Sequence, residues 1–325
     1  MAIITLTRQS GSFGDGIGML IARRLGYTFF DKKEIEKRII AKGLPKEDFL
    51  KSIPRLRYYY IDMNPYKEII NLENEGKLEI YTNTDTSKEI QTKNSGKITK
   101  SQIVFLVIPG GSYKFIGEVE ALPVAKKFFS FGYSSALLRY SVYPSHYPTQ
   151  YNQGLSSIKI LSSKFKKIIL VGFSAGGHLT GLLGTSGKDN LYNTICMILC
   201  YPVISFINNV HKLSRYDFFG KENSTEKERQ MFSIENRVNK ETIPTFIWTL
   251  KNDKTVPYEN SLYMINSLKR NGIKCQYKIY KKGVHGMALA DEFDIRKGNK
   301  KYKNDKVAKW VFLAINFVEN LIKNN

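Results

Sequence analysis

Four short stretches of the 325-residue chain carry residues that could act together on an acyl group. Gly172-Phe173-Ser174-Ala175-Gly176 fits G-x-S-x-G. At ordinary glycine and serine usage a chain of this length shows that pattern by chance about once in nine, so its setting has to decide. It follows the apolar run KIILV directly and opens into GHLTGLLG, a strand, a tight turn and a helix. That setting lifts a serine hydroxyl above the end of a sheet, beside the positive end of the following helix. Asp253 follows the run TFIWTL in a loop, six residues before the helix-start candidate Glu259, which is too far to serve only as its cap. His285 is one of four histidines and lies in Gly283-Val284-His285-Gly286 after CQYKIY, an improbable place for a packed core residue. A serine, an acid and a histidine in that order, each just past a strand, suit nucleophilic acyl transfer. Pro109-Gly110-Gly111 follows the run IVFLVI, where backbone N–H groups can face a developing oxyanion, and the N–H of Ala175 is placed to be a second donor.

These loops need a sheet whose strands end at one edge. IVFLVI (103–108), SSALLRY (134–140), KIILV (167–171), TICMILC (194–200), TFIWTL (245–250) and CQYKIY (275–280) read as strands. Helical patterns separate them: 119–132, 149–165, from Ala175 onward, and 305–323 at the end. Continuous apolar runs spaced by helices imply a mostly parallel sheet covered by helices on both faces. Ligands bind such sheets outside the carboxyl ends of the strands, the edge at which Ser174, Asp253 and His285 are expected.

The amino-terminal part has another character. Residues 1–52 read as a small α/β segment, with a strand at 3–6, a glycine-rich turn at 11–18, a helix at 19–25, a short strand at 28–30 and a charged helix from Asp31. The proline- and tyrosine-rich stretch that follows reads as a linker over 53–76, and 77–325 as the main domain, with a polar loop or hairpin tip at 82–100.

Composition narrows the classes. The chain is 42% hydrophobic and 24% charged, as globular proteins are. It has neither a run of eighteen apolar residues nor a basic, apolar leader at its start, so a cytoplasmic location and no membrane partner are expected. The net charge of +21 is spread along the chain, and its densest stretch, RKGNKKYKNDKVAK, has one aromatic residue on which a base could stack. A solvated basic face is expected there, not a nucleic-acid site. Cys196 and Cys200 sit inside an apolar strand and Cys275 stands apart, so the cysteines read as core residues without metal-ligand spacing. No metal or organic cofactor is called for.

Residues 102–290 resemble the acetyl esterase and acetylxylan esterase-like branch of the α/β-hydrolase superfamily, related to the hormone-sensitive-lipase group. The matching text includes VIPGGSYKF, LRYSVYP, ILVGFSAGGHL, CYPVISF, PTFIWTLKNDKTVPYENSLYMINSLKRNGI and KIYKKGVHGMAL. The resemblance implies Ser174, Asp253 and His285 as a triad, Gly110 and Gly111 in the oxyanion loop, and small or carbohydrate-linked acyl esters as substrates. Ser112 replaces a third glycine common in that loop, which narrows the way to the acyl site. A serine peptidase of the oligopeptidase type shares the triad, order and fold, but this chain is too short for that type's propeller. The amino-terminal segment resembles the cytidylate kinase-like proteins through IITLTRQSGSFG and LIARRLGYTFFDKKEIE. There Ile17 and Gly18 follow the loop where a P-loop has lysine and serine or threonine, and Asp15 opposes the phosphate such a loop would cradle. A truncated, fused remnant is the expectation, ahead of a nucleotide-binding or kinase module.

Overall fold

The computed structural model describes residues 66–82, 98–221, 223–291 and 300–323. The strand and helix readings within 1–52 lie outside them. Residues 66–129 and 133–325 make one compact unit. Its sheet has eight strands: β1 (Tyr66–Asn71), β2 (Lys77–Thr82), β3 (Ile103–Ile108), β4 (Ser134–Arg139), β5 (Lys167–Phe173), β6 (Thr194–Cys200), β7 (Thr245–Leu250) and β8 (Cys275–Tyr280). They lie in the order β1-β2-β4-β3-β5-β6-β7-β8. The six from β4 to β8 are parallel, while β1 and β2 join antiparallel at one edge. The helices are α1 (Leu122–Ser130), α2 (Thr149–Lys164), α3 (Ser174–Gly184), α4 (Lys188–Leu191), α5 (Lys212–Phe219), α6 (Glu226–Phe232), α7 (Glu259–Arg270) and α8 (Trp310–Lys323).

The inner parallel strands β3, β5, β6 and β7 read as nearly unbroken apolar runs because both of their faces are covered. Along β3, Val104, Leu106 and Ile108 join a core that includes Ile158 and Leu161 of α2, Leu179, Leu182 and Leu183 of α3, and Met264 and Leu268 of α7. The alternate residue Phe105 points the other way and stacks on Phe128 of α1, ring centroids 4.1 Å apart. Phe128 meets Trp310 of α8, and Trp310 packs on Phe173 and Trp248. The second face therefore has an aromatic core of its own. Cys196 and Cys200 are buried, as the strand reading required.

Two boundaries differ from the sequence reading. Tyr66–Asn71, placed in the linker, is the edge strand, paired in register with Lys77–Thr82 from Tyr66↔Thr82 to Asn71↔Lys77. An edge strand is half-solvated, and Ile69 is exposed, so YKEIIN lacks both a long apolar run and a clean alternation. The sheet thus begins at residue 66, not 77. The last helix starts at Trp310 after one 3-10 turn at Val307–Lys309, five residues later than its polar lead-in suggests. Among the described residues no helix is long and apolar enough to cross a membrane.

The topology fixes where a site can form. From β3 the chain moves outward to β4, then returns to the other side of β3 for β5. The switch point lies between β3 and β5, where Ile108 is in register with Gly172. The connections leaving these two strands diverge there, which opens a crevice at their carboxyl ends. The strand-to-helix turn after β5 is tight. A Cβ on Gly172 would lie 2.1 Å from Thr180 Oγ1 and 2.5 Å from the Gly176 carbonyl oxygen. Gly172→Ala should therefore cost about 1–3 kcal/mol through overpacking. A urea titration should show a lower midpoint at unchanged slope; an unchanged midpoint would contradict this packing.

Candidate active site

Ser174 is the first residue of α3 and has φ 51°, in the left-handed region that a non-glycine residue occupies only when its surroundings impose it. Here they do. Val203 N–H donates to the Ser174 carbonyl at 3.0 Å. A Cβ on Gly176 would lie 2.2 Å from the carbonyl oxygens of both Ile108 and Pro109, so the start of α3 presses directly on the end of β3. The conformation turns the Ser174 hydroxyl away from the helix and toward the loop after β8.

His285 waits there. Its Nε2 is 2.8 Å from Ser174 Oγ and its Nδ1 is 2.7 Å from Asp253 Oδ2. An ionised carboxylate only accepts, so Nδ1–H donates to Asp253 and Nε2 is left to accept from the Ser174 hydroxyl. Asp253 Oδ1 accepts from the N–H groups of Thr255 and Val256 at 2.9 and 3.0 Å. One oxygen thus closes its own turn and the other orients the imidazole. The two loops are tied together: Asn252 Oδ1 accepts from Gly283 N–H at 3.0 Å, and Lys251 N–H donates to the Tyr280 carbonyl at 2.8 Å. The Asp253 side chain is fully shielded, while the His285 side chain keeps 16% of its exposure. The three residues that the sequence order singles out are in one hydrogen-bonded line.

The glycine loop after β3 is more divided. Gly111 has φ 122°, and a Cβ there would lie 1.9 Å from the Phe115 carbonyl oxygen, so no other residue fits. Among the described residues, no acceptor takes the N–H of Gly111 or of Ala175. Gly110 does not share this freedom. Its N–H donates to Glu120 Oε2 at 2.8 Å. The need for glycine at 110 is steric, because a Cβ would approach that of Ser174 to 2.8 Å. Ser112 and Tyr113 continue the loop with φ 59° and 64°.

Sequence reasoning passed over several residues around this centre. His178 lies one helical turn beyond Ser174 and is fully buried. Its Nε2 is 2.8 Å from the Phe232 carbonyl and its Nδ1 is 2.8 Å from the Tyr113 hydroxyl. A carbonyl only accepts, so Nε2 carries the hydrogen and Nδ1 takes the phenol's. His178 thereby props the glycine loop from below. His211, at the start of α5, is held below its ordinary pKa chiefly by burial, with His285 adding to the effect and Asp253 opposing it. Glu120 and Tyr201 are the remaining pair. Tyr201 directly follows β6 and His178 lies one turn beyond Ser174, whereas Glu120 and His211 stand well away from any strand end, so position in the sequence signals only the first two. Gln153 accepts from Ser141 N–H at 2.8 Å and donates to the Glu73 carbonyl at 2.6 Å. Among the described residues no group of three or more His, Cys, Asp or Glu could hold a metal ion.

The prolyl oligopeptidase family matches residues 161–313, and the cytidylate kinase-like family matches residues 3–105. The acetyl ester-xyloside bifunctional hydrolase from Caldicellulosiruptor lactoaceticus is 27% identical, covering 79% of this chain and 99% of its own, with a TM-score of 0.62. The chain has the α/β-hydrolase fold. Two curated relatives match part of the chain. Endo-1,4-beta-xylanase B from Butyrivibrio fibrisolvens is 34% identical over 210 residues, 58% of this chain and 33% of that protein. Acetylxylan esterase from Xylanibacter ruminicola is 32% identical over 141 residues, 42% of this chain and 29% of that protein. The chain thus spans about a third of the length of the curated relatives it matches.

The buried histidine beneath the site makes the fold acid-sensitive. Burial pushes the His178 pKa down from 6.5 to about 3; the bond to Phe232 opposes this and the Arg237 charge adds to it. Between those values the unfolded chain binds a proton that the folded chain refuses. Stability from this group is whole above pH 6.5 and falls as pH drops toward 3, by up to about 1.4 kcal/mol per pH unit. Thermal midpoints followed downward from neutral pH should decline less steeply in His178→Gln. Equal slopes would show that His178 titrates alike in both states.

Proposed function

We propose that this chain is a serine carboxylic-ester hydrolase that removes small acyl groups, acetyl foremost, from carbohydrate-linked esters. The observation that carries the reading is the unbroken line from Ser174 Oγ through His285 to Asp253, at 2.8 and 2.7 Å. The acylated-carbohydrate substrate is supported by relatives named as an acetylxylan esterase and an acetyl ester-xyloside hydrolase.

In this reading Ser174 Oγ attacks the acyl carbon while its proton passes to His285 Nε2. Asp253 holds the Nδ1–H tautomer and stabilises the imidazolium. The N–H groups of Gly111 and Ala175 receive the carbonyl oxygen as it becomes an oxyanion, each donor contributing about 3–4 kcal/mol to the transition state. Collapse breaks the ester C–O bond, and the alkoxide leaves with the proton from His285. Water, deprotonated by the same Nε2, then attacks the acyl-serine and restores the hydroxyl. The site is built from residues after position 66, and the segment over 1–52 is read as separate from the chemistry.

The match to the prolyl oligopeptidase family favours one other reading, a serine peptidase, since the mechanism is shared up to the leaving group. Assay of p-nitrophenyl acetate, acetylated xylan and a peptide p-nitroanilide decides between them. The esters should be turned over and the anilide left intact; the reverse preference would make the chain a peptidase. Ser174→Ala should lower kcat at least about a hundredfold without unfolding the protein, and Asp253→Asn should be nearly as severe because it favours the wrong tautomer. Activity surviving in folded Ser174→Ala would end the assignment. Deletion of residues 2–52 should leave kcat/KM within a few-fold; loss of a soluble product would place that segment in the hydrolase fold.

A further inference from the structure

The acceptor that takes the Gly110 amide leads to the opposite wall of the site. Glu120 ends the 3-10 turn Glu118–Glu120 before α1 and is 4% exposed. Its Oε2 accepts from Gly110 N–H at 2.8 Å and its Oε1 accepts from the Tyr201 hydroxyl at 2.6 Å. The Tyr201 oxygen in turn accepts from Ala288 N–H at 3.0 Å. Ala288 lies three residues beyond His285, and its carbonyl accepts from Trp310 Nε1–H at 2.9 Å. The Tyr201 ring also stands edge-on to the His285 ring, centroids 4.9 Å apart. One carboxylate therefore bridges the loop that carries Gly111 and, through one phenol, the loop that carries His285.

Neither loop is a regular element. Gly111, Ser112 and Tyr113 on one side, and Gly286, Ala288 and Ala290 on the other, all have positive φ. Backbone in that region holds its shape only if neighbours over-determine it. A carboxylate suits the junction because it has two acceptor oxygens and no hydrogen of its own. The direction of every bond follows: Gly110 to Oε2, Tyr201 to Oε1, Ala288 to the phenol oxygen. Glutamine offers one acceptor oxygen and could keep only one of the two carboxylate bonds.

We propose that Glu120 is a positioning residue for acyl transfer, setting the oxyanion loop against the His285 loop through Gly110 and Tyr201. The proposal rests on the ester-hydrolase reading above. A misplacement of about 1 Å between base and donors is enough to cost roughly a hundredfold in rate. Removing a buried carboxylate that only stabilised the fold would lower the melting temperature and leave the turnover of folded protein unchanged.

The test uses the full chain, p-nitrophenyl acetate turnover, and the labelling rate of Ser174 by a fluorophosphonate, whose phosphonyl oxygen seeks the same donors. Glu120→Ala should lower kcat about a hundredfold at a KM within about threefold of wild type, with labelling slowed in parallel. Glu120→Gln should recover part of the loss. Tyr201→Phe, which leaves the Gly110 contact in place, should lose about tenfold in kcat. The double variant Glu120→Ala/Tyr201→Phe should be little worse than Glu120→Ala, because both break one bridge. If Glu120→Ala does not fold, Glu120→Gln and Tyr201→Phe carry the test. Folded variants with wild-type kcat and labelling rate, or losses that multiply in the double variant, would overturn the positioning role alone. A folded wild-type protein unlabelled at Ser174 would overturn the hydrolase reading and this proposal with it.

Discussion

The left-handed backbone at Ser174 is the constraint around which this molecule is arranged. A serine at φ 51° costs on the order of 1–3 kcal/mol that its own side chain does not return. Neighbouring packing has to supply it. Gly172 lets β5 lie against Thr180, Gly176 lets α3 lie against the carbonyls of Ile108 and Pro109, and Val203 holds the Ser174 carbonyl from the β6 side. Strands β3, β5 and β6 are thereby locked to one another where the topology reverses. A larger residue at 172 or 176 would separate the strand from the helix and move the hydroxyl from the imidazole. The site is accurate because the turn has so little room.

From that fixed point the polar groups are ordered by burial. Ser174 and Asp253 are almost fully enclosed, His285 less so, and the chain's other carboxylate in the region, Glu120, is enclosed as well. Each buried acceptor is satisfied from the backbone on one side and from a side chain on the other: Asp253 by Thr255, Val256 and His285, Glu120 by Gly110 and Tyr201. Leaving either half unpaired would carry the desolvation cost of a buried charge. The same economy explains His178, which stays neutral and exchanges hydrogen bonds with a phenol and a carbonyl, so it needs no counter-charge. The electrostatics of the region thus double as its mechanical bracing.

How far this was legible in the sequence follows from the range of each signal. KIILV running into GFSAGG is local: the strand, the turn and the glycines needed for close approach are all within ten residues, and the structure places them so. The inner parallel strands β3, β5, β6 and β7 were legible because burial on both faces writes a nearly unbroken apolar run, while the edge strand β8 was legible from its β-formers between turns. The edge strand Tyr66–Asn71 was not, because one side of it meets solvent and its pattern is diluted. Asp253 and His285 could be picked by position after a strand, but their mutual approach depends on β7 and β8 lying side by side, which no spacing states. Glu120, Tyr201 and the engaged amide of Gly110 were invisible for the same reason. Their partners are 10, 81 and 87 residues away.

The sheet also limits what the amino-terminal resemblance can mean. The cytidylate kinase-like match runs over residues 3–105, yet residues 66–71 and 77–82 pair with each other and, through Leu78 and Leu138, with β4 of the hydrolase sheet. Ile103, Val104 and Phe105 are paired in the same sheet to β5. A backbone N–H or carbonyl serves one ladder at a time, so these residues cannot also complete a nucleotide-binding fold. Leu78 and Ile80 are buried in the same core as Leu179 of the nucleophile helix. These paired residues of the match are therefore committed to the eight-stranded sheet. Whatever a kinase-like segment contributes has to come from the residues outside them.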